Sequence, residues 1–173
     1  LRQSGGVEPK LAIVVSKDAP VIETYMRLKG RYGDDIGVAV NVHRVPQAKA
    51  SGLIKKLNAD PAVHGVIVQL PLSDPAQTEE IVSLVAPWKD VDGLGPQPRF
   101  EPATPMDILW LLAGYNVDLK DKHILLIGRG KLVGAPLEKM LRDSGHEVEV
   151  IGRNVSNLAV PAGQADVIIT ATG

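Results

Sequence analysis

The stretch KHILLIGRGKLVGAP, residues 122–136, constrains the fold of this chain more than any other. Its aliphatic first half predicts a buried strand, and its second half begins a helical pattern. The turn between them reads Gly128-x-Gly130-x-x-x-Gly134. In doubly wound sheets, such a turn directs backbone N–H groups and a helix N-terminus at a phosphate. Because this spacing exceeds the usual G-x-G-x-x-G by one residue, the turn alone predicts a phosphate site no more strongly than a plain connection.

Strands and helices alternate along the rest of the chain. Apolar segments predict strands at 11–15, 37–45 and 64–72, and helical spacing predicts helices at 21–32, 47–60 and 74–85. Around the glycine turn, strands are predicted at 123–127, 147–151 and 166–171, with a helix at 132–144. This alternation favours right-handed βαβ crossovers and parallel sheets. We therefore predict an α/β fold of two domains with mainly parallel sheets.

The predicted domain boundaries follow a break in this alternation. Residues 86–103 are rich in proline and predict an irregular loop. We predict an α/β domain over residues 1–103, a linking helix over 104–116 that Thr104 caps, and an incomplete Rossmann-type domain over 117–173. The chain starts without Met and stops where a strand should enter its next crossover, so we expect it to be truncated at both ends.

Composition excludes several classes of function. The formal net charge is −1 and no basic run occurs, so we expect neither nucleic acid nor an anionic membrane as a partner. The sequence has no Cys, which removes disulfides, thiolate nucleophiles and Cys-ligated metals. The four histidines show no ligand spacing, so no metal is predicted. Without an apolar run of about 20 residues or a signal peptide, a cytoplasmic location is expected.

Several polar side chains fall where a ligand would meet the first sheet. Tyr25 and Lys29 lie one turn apart on a predicted helix. Gln69 ends a predicted strand, and Asp92 follows in the proline-rich loop. Ligands of open α/β sheets bind at the carboxyl edge, where these groups would suit a flat, nitrogen-rich heterocycle and a proton transfer. The simpler interpretation of a lysine on a helix is a solvated surface charge.

Six pieces of the sequence together resemble one family, the bifunctional methylenetetrahydrofolate dehydrogenase and methenyltetrahydrofolate cyclohydrolase proteins. They are the Tyr25-x-x-x-Lys29 helix, VQLPL (68–72), KDVDG (89–93), PATP (102–105), IGRGKLVGAP (127–136) and ATG (171–173). Ordered matches along nearly the whole chain are far more specific than any one motif. The irregular glycine spacing fits this family's pattern better than the generic one.

The resemblance implies a folate-binding first domain and an NADP-binding Rossmann second domain. It implies that hydride passes from 5,10-methylenetetrahydrofolate to NADP+, and that water then opens the methenyl product to 10-formyltetrahydrofolate. It also implies tetrahydrofolate derivatives as the partners and a homodimer as the assembly. Lys29 would be the main catalytic residue, chiefly for hydrolysis, and Gln69 would position it. Tyr25 would stack on or orient the folate, and Asp92 would hold the pterin edge.

The cofactor residues follow from the same resemblance. They are Gly128, Arg129, Gly130, Val133, Gly134, Arg153, Thr172 and Gly173. NAD binders carry an acidic residue at the end of the second Rossmann strand, whereas NADP binders place basic groups there. Here no acid stands at that position, and we predict that Arg153 and Arg129 bind the 2′-phosphate of NADP. The alternative is a pair of solvated arginines.

Three departures from the family pattern concern the site. Ile22 stands where the family has a serine, three positions before the tyrosine, and Gly130 replaces a second serine in the turn. The segment between KDVDG and PATP is shorter than usual. Two alternatives therefore stay open: a dehydrogenase without cyclohydrolase activity, and a non-catalytic folate- or nucleotide-binding module. The intact lysine, glutamine and aspartate argue against the module.

Overall fold

The computed structural model describes residues 6–152 and 157–172. The chain divides into two compact units, Leu1–Phe100 and Glu101–Gly173. All strand pairs within the described residues are parallel. The predicted α/β class with mainly parallel sheets is therefore confirmed.

The first unit is a parallel sheet with helices on both faces. Its strands are β1 (Lys10–Val15), β2 (Ala39–Arg44) and β3 (Gly65–Val68), in the order β2-β1-β3. Its helices are α1 (Pro20–Ile36), α2 (Gln47–Ala59) and the short α3 (Thr78–Val82), which a 3-10 turn at Pro75–Gln77 precedes. In this register Ile13 of the central strand lies between Val42 and Ile67.

The central strand β1 is apolar from Leu11 to Val15 because both of its faces are covered. Ala12 and Val14 belong to a core that α2 supplies with Ala50, Ile54 and Leu57. Ile13 and Val15 belong to a second core, which contains Ile22 and Met26 of α1. Alternate residues of one strand thus anchor α1 and α2 on opposite faces of the sheet, and this fixes the position of both helices.

Helix α1 is longer than the prediction of 21–32. Proline stands at its first turn, and it ends at Gly37, whose φ of 70° is left-handed. Gly33 does not break the helix, because it is the point where α1 meets β2. A Cβ built on Gly33 would lie 2.5 Å from Val40 Cγ2 and 2.7 Å from the Val38 carbonyl oxygen. Close packing therefore accounts for a glycine that sequence reasoning takes as a helix end.

The second unit repeats the parallel arrangement. Its strands are β4 (Ile124–Ile127), β5 (Val148–Ile151) and β6 (Val167–Thr170), in the order β5-β4-β6. Its helices are α4 (Ala103–Gly114), α5 (Gly134–Asp143) and α6 (Ala159–Gln164). The core contains Ile124 and Leu126 of the central strand and Leu137 and Leu141 of α5.

Three elements differ from the sequence-based expectations. The helix predicted as a link is α4, and Ile108, Leu109 and Leu112 pack it against the core of the second unit. Its N-cap is Pro102, which makes no side-chain hydrogen bond, so the predicted cap at Thr104 is wrong. Between the strands predicted at 147–151 and 166–171, where no helix was predicted, the structure has α6, a helix that contains a proline and a glycine.

The helix predicted over 74–85 is broken into the 3-10 turn and α3. Asp74 caps the turn by accepting a hydrogen bond from the Ala76 N–H at 3.0 Å.

The contact at Gly33 predicts a large difference between two identical substitutions on α1. Gly33→Ala forces a methyl group into β2, and overpacking of this kind costs about 1–3 kcal/mol. Gly30→Ala is the control, because a Cβ there meets nothing within 4 Å and alanine favours a helix by up to about 1 kcal/mol. The unfolding of both variants in urea is monitored by circular dichroism, which gives the free energy of unfolding of each. Equal unfolding midpoints for the two variants would contradict the described contact.

Candidate active site

Lys29 lies on the face of α1 that packs on the sheet. The buried residues of this helix are Ile22, Met26 and Gly33, and Lys29 follows Ile22 by seven positions and Met26 by three. These spacings place all of them on one side of an α-helix. The lysine is consequently half-buried rather than fully solvated. A lysine within an apolar stripe is also a signal that the sequence itself contains.

The neutral partner of Lys29 is the side chain of Gln69, which directly follows β3. The Lys29 Nζ donates to Gln69 Oε1 at 3.3 Å. The amide group is held in this orientation because its Nε2 donates to the Leu70 carbonyl oxygen at 2.8 Å. The Gln69 backbone N–H donates to the Val14 carbonyl oxygen at 2.9 Å, which ties the residue to β1. The oxygen of the amide therefore faces the lysine.

The loop that carries Asp92 is anchored by two buried charged residues. Lys89 is 6% exposed, and its Nζ donates to the carbonyl oxygens of Leu57 and Asp60 at the end of α2. Asp90 is 3% exposed, and its carboxylate accepts from the N–H groups of Leu94 and Gly95. These bonds satisfy both buried groups. The loop preceding and following Asp92 is thereby held in place.

Asp92 interacts electrostatically with Lys29. Burial raises the pKa of the Asp92 carboxyl above its ordinary value, the positive charge of Lys29 opposes that shift, and the negative charge of Asp90 adds to it. The structure thus brings three of the sequence-predicted residues together. They are an amino group, a neutral amide and a carboxyl group that burial shifts toward its protonated form.

Tyr25 lies on the solvent side of this group, one turn before Lys29 on α1. Its side chain is about half exposed, at 51%. Ile22, by contrast, is 1% exposed and packs in the core beneath α1. Ile22, which stands where the family has a serine, therefore occupies a core position of the helix rather than its exposed side.

A groove of about 600 Å³ runs beside the second half of α1. Its lining includes Lys29, together with Leu28, Tyr32, Val40 and Ile67. Among the described residues that line it, Gln69 and Asp92 are not found. The groove is mostly apolar. Lys29 belongs both to this groove and to the polar group that contains Gln69 and Asp92.

The glycine turn of the second unit is closely packed where the chain passes from β4 to α5. Gly128 has a φ of +100°, and a Cβ on it would lie 2.7 Å from the Ala171 carbonyl oxygen. A Cβ on Gly134 would collide with the Gly128 carbonyl oxygen. Glycine is required at both positions, for the left-handed turn and for the close approach of the helix. A glycine turn before a helix N-terminus fits a phosphate group.

The other predicted cofactor residues are distributed around this turn. Thr172 is exposed and lies beside Gly128, whose added Cβ would be 3.1 Å from the Thr172 methyl carbon. Val133 caps α5, and its carbonyl oxygen accepts from the Leu137 N–H. Gly130 has open space around it, so packing does not require glycine there. Arg153 and Gly173 lie outside the described residues.

Arg129 extends from the turn along the surface of α5. Its side chain is 66% exposed, and its Nε donates to Glu138 Oε2 at 2.7 Å. Sequence reasoning places this arginine at a phosphate but does not identify its carboxylate partner.

Two other kinds of site are absent from the described ranges, 6–152 and 157–172. Within them, no three His, Cys, Asp or Glu side chains are grouped so that they could hold a metal ion. No helix in that part of the chain has the length and apolar character needed to cross a membrane.

Two family descriptions match the chain. Residues 1–92 match "Tetrahydrofolate dehydrogenase/cyclohydrolase, catalytic domain". Residues 102–173 match "Tetrahydrofolate dehydrogenase/cyclohydrolase, NAD(P)-binding domain". The two matches correspond to the two parallel-sheet units of the structure.

Individual relatives agree with these matches. A protein of Heliobacterium modesticaldum named bifunctional protein FolD is 36% identical, covering 97% of this chain and 63% of the relative. The crystal structure of a FolD methylenetetrahydrofolate dehydrogenase/cyclohydrolase from Campylobacter jejuni has a TM-score of 0.91 at 34% identity, over 99% of this chain and 66% of that one.

A structure of the Trypanosoma brucei enzyme, complexed with NADP and an inhibitor, has a TM-score of 0.92 at 25% identity. It covers 99% of this chain, which spans 64% of that one. The chain therefore spans a little under two thirds of the length of the relatives it matches.

The charges around Asp92 predict the direction in which its titration changes. In the intact chain, the pKa of Asp92 lies above its ordinary value of 3.8. Lys29→Met removes the one opposing charge and raises the pKa of Asp92 further. Lys55→Met is the control, because this exposed lysine lies on α2, on the opposite face of the sheet. Carboxyl ¹³C NMR titration measures all three proteins.

The same shift has a consequence for stability. A folded-state pKa above the unfolded one means that the folded chain binds this proton more tightly, so the free energy of unfolding falls as pH rises through the window above 3.8. Asp92→Asn removes this loss, and its stability relative to the parent chain increases across that window. An Asp92 pKa at or below 3.8, or one that Lys29→Met lowers, would contradict the described surroundings.

Proposed function

Because the chain belongs to the tetrahydrofolate dehydrogenase/cyclohydrolase family, we propose that it oxidises 5,10-methylenetetrahydrofolate with NADP+ and hydrolyses the methenyl product. The products are 5,10-methenyltetrahydrofolate and then 10-formyltetrahydrofolate. The observation that carries the proposal is the grouping of Lys29, Gln69 and Asp92 at the end of β3 and its neighbouring loop. An amino group, a neutral amide and a carboxyl group provide the hydrogen bonds and the proton transfer that these two reactions need.

The folate side of the site has two roles to fill. Asp92 accepts hydrogen bonds from the amino group and the ring N–H at the edge of the pterin, because the two oxygens of a carboxylate can accept from such a pair of donors. Tyr25 presents a half-exposed ring one turn away on α1, where a flat heterocycle can stack. Tyr25 and Asp92 would thus orient the substrate so that its one-carbon bridge faces Lys29.

Lys29 serves the hydrolytic step by moving protons. Water adds to the carbon of the methenyl bridge and gives one proton to Lys29. The hydroxyl group so formed loses its remaining proton as the carbon–oxygen double bond forms, and the nitrogen whose bond to this carbon breaks takes up a proton. Its partner Gln69 is neutral, so it holds the lysine without favouring the charged form, as a carboxylate would.

NADP+, when bound, supplies the acceptor for the hydride. Gly128 and Gly134 allow the turn, the start of α5 and Ala171 to pack closely, and the N-terminus of α5 would face the phosphates. Thr172 lies beside Gly128. Arg129 is the described group that would meet the 2′-phosphate. The family resemblance also implies cofactor contacts at Gly130, Val133, Arg153 and Gly173. It further implies that hydride transfer depends chiefly on aligning the two rings.

The resemblance further implies a cytoplasmic homodimer, which we also propose. Light scattering during size-exclusion chromatography tests the dimer. A mass equal to one chain across the concentration range would contradict it.

Two successive assays test the proposed reactions. The purified chain is supplied with methylenetetrahydrofolate and NADP+, and formation of the methenyl compound is followed by absorbance. Methenyltetrahydrofolate is then supplied alone, and its hydrolysis is followed. We expect turnover in both assays. Methenyl formation without hydrolysis would leave only a dehydrogenase, and no turnover in either assay would contradict the proposed function.

Lys29→Met separates the hydrolytic step from cofactor binding. Loss of a positioned proton-transfer group typically lowers a rate by about 10²–10⁴-fold, so we expect hydrolysis to fall by at least about 100-fold. NADP+ affinity, measured by fluorescence titration, should stay within about twofold, since the cofactor turn belongs to the second unit. Lys55→Met again serves as the matched control and should leave both quantities unchanged. Hydrolysis that survives Lys29→Met would show that another group moves the proton.

A further inference from the structure

We propose that Glu138 is a positioning residue that makes this chain selective for NADP over NAD. It would do so by holding Arg129 at the glycine turn in an extended arrangement that can meet a 2′-phosphate. The inference rests on the proposed function, and it adds a residue whose part in cofactor choice neither the turn motif nor the family resemblance supplies.

Glu138 lies on α5, four residues after the helix begins, and its side chain is only 14% exposed. Its two carboxylate oxygens accept from different arginines. Oε2 accepts from Arg129 Nε at 2.7 Å, and Oε1 accepts from Arg142 Nε at 3.1 Å. Arg142 Nη2 donates in turn to the Val148 carbonyl oxygen at 2.6 Å, on β5. A continuous set of bonds therefore connects the cofactor turn to a helix and a strand of the second unit.

The charges of this group leave Arg129 attractive to an anion. Two guanidinium groups share one carboxylate, so Arg129, Glu138 and Arg142 together have a net charge of +1 when all are ionised. The hydrogen bond from Arg129 lowers the pKa of Glu138, and Arg142 lowers it further, so the carboxylate is ionised at neutral pH. Because Arg142 offsets much of the negative charge, Glu138 orients Arg129 without neutralising it.

The geometry also keeps donors of Arg129 accessible. Its bond to Glu138 uses Nε, and a guanidinium has four further N–H donors on its two terminal nitrogens. The Arg129 side chain is 66% exposed, so these donors face the solvent in which a phosphate would arrive. A guanidinium that is already oriented loses less conformational freedom on binding than a mobile one. This orientation would strengthen the binding of NADP through its 2′-phosphate, whereas NAD has no such phosphate and its binding would not be strengthened.

The opposite role is that Glu138 competes with the phosphate for Arg129. Removing the carboxylate would then strengthen NADP+ binding. The sharing of Glu138 with Arg142 favours orientation over competition, and the two roles predict changes of opposite sign in the same measurement.

Glu138→Gln is the test variant, because it keeps the shape of the side chain and removes its charge. Glu147→Gln is the matched control. It makes the same change at an exposed residue just before β5, at the sheet edge opposite the turn. Binding of NADP+ and of NAD+ to all three proteins is measured by titration calorimetry. The NMR signal of the Arg129 Nε–H reports directly whether the bond to residue 138 persists.

We expect Glu138→Gln to raise the Kd for NADP+ by about fivefold or more, in line with the loss of a charge-assisted bond, while the Kd for NAD+ changes by less than twofold. The Arg129 Nε–H should exchange faster with solvent in this variant. Glu147→Gln should match the parent chain in every measurement.

Three results would overturn the inference. Tighter NADP+ binding would make Glu138 a competitor, and an equal loss for NAD+ would make its role general to the fold. An unchanged Kd for NADP+ would remove Glu138 from cofactor choice while the proposed function stands. If the parent chain bound neither dinucleotide, the proposed cofactor would itself be wrong, and this inference would fail with it.

Discussion

The hydrogen bond between the Lys29 ammonium and the Gln69 amide is the interaction on which the account of this chain depends. It joins a helix to the end of a strand across 40 residues of sequence, at 3.3 Å. Each partner is placed by packing that is independent of the other. Ile22 and Met26 seat α1 on one face of the sheet, and the backbone bond to Val14 fixes Gln69 at the end of β3. The site is therefore a consequence of the parallel sheet itself.

The neutrality of the Gln69 amide matters for the proton transfer that we propose for Lys29. A carboxylate at the position of Gln69 would add a negative charge beside the lysine, whereas an amide orients it without adding a charge. The Asp92 carboxyl group interacts electrostatically with Lys29 and is negatively charged when ionised. Burial raises the pKa of this carboxyl group and the charge of Asp90 adds to the shift, whereas the charge of Lys29 opposes it. Lys89 and Asp90, both buried and bonded to backbone groups, keep this loop in position.

Sequence reasoning succeeded where one local pattern determined one local structure. The alternation of strands and helices was sufficient for two parallel sheets, and ordered motifs were sufficient for the family, which the comparisons confirm. Gln69 was placed at a strand end because VIVQLP stops being apolar there. The position of Lys29 beside the buried Ile22 and Met26 was not predicted, although helical spacing places the three residues on one side of α1.

The features that sequence reasoning missed depend on contacts between distant segments. Gly33 reads as a helix end, yet a tight contact with Val40 makes it an interior residue of α1. The bond from Arg129 to Glu138 spans nine positions and crosses from a turn to a helix, which no periodic pattern contains. The anchoring of Lys89 depends on carbonyl groups at the end of α2, about thirty residues earlier. Only the assembled fold identifies such partners.

A crystal structure of the chain with a stable tetrahydrofolate analogue would test the central claim most directly. The account predicts that the pterin edge bonds to the Asp92 carboxyl group, and that the one-carbon position of the analogue lies within hydrogen-bond reach of Lys29 Nζ. Gln69 should still accept from the lysine in that complex. An analogue bound in the apolar groove beside Leu28 and Tyr32, out of reach of Asp92, would contradict the account.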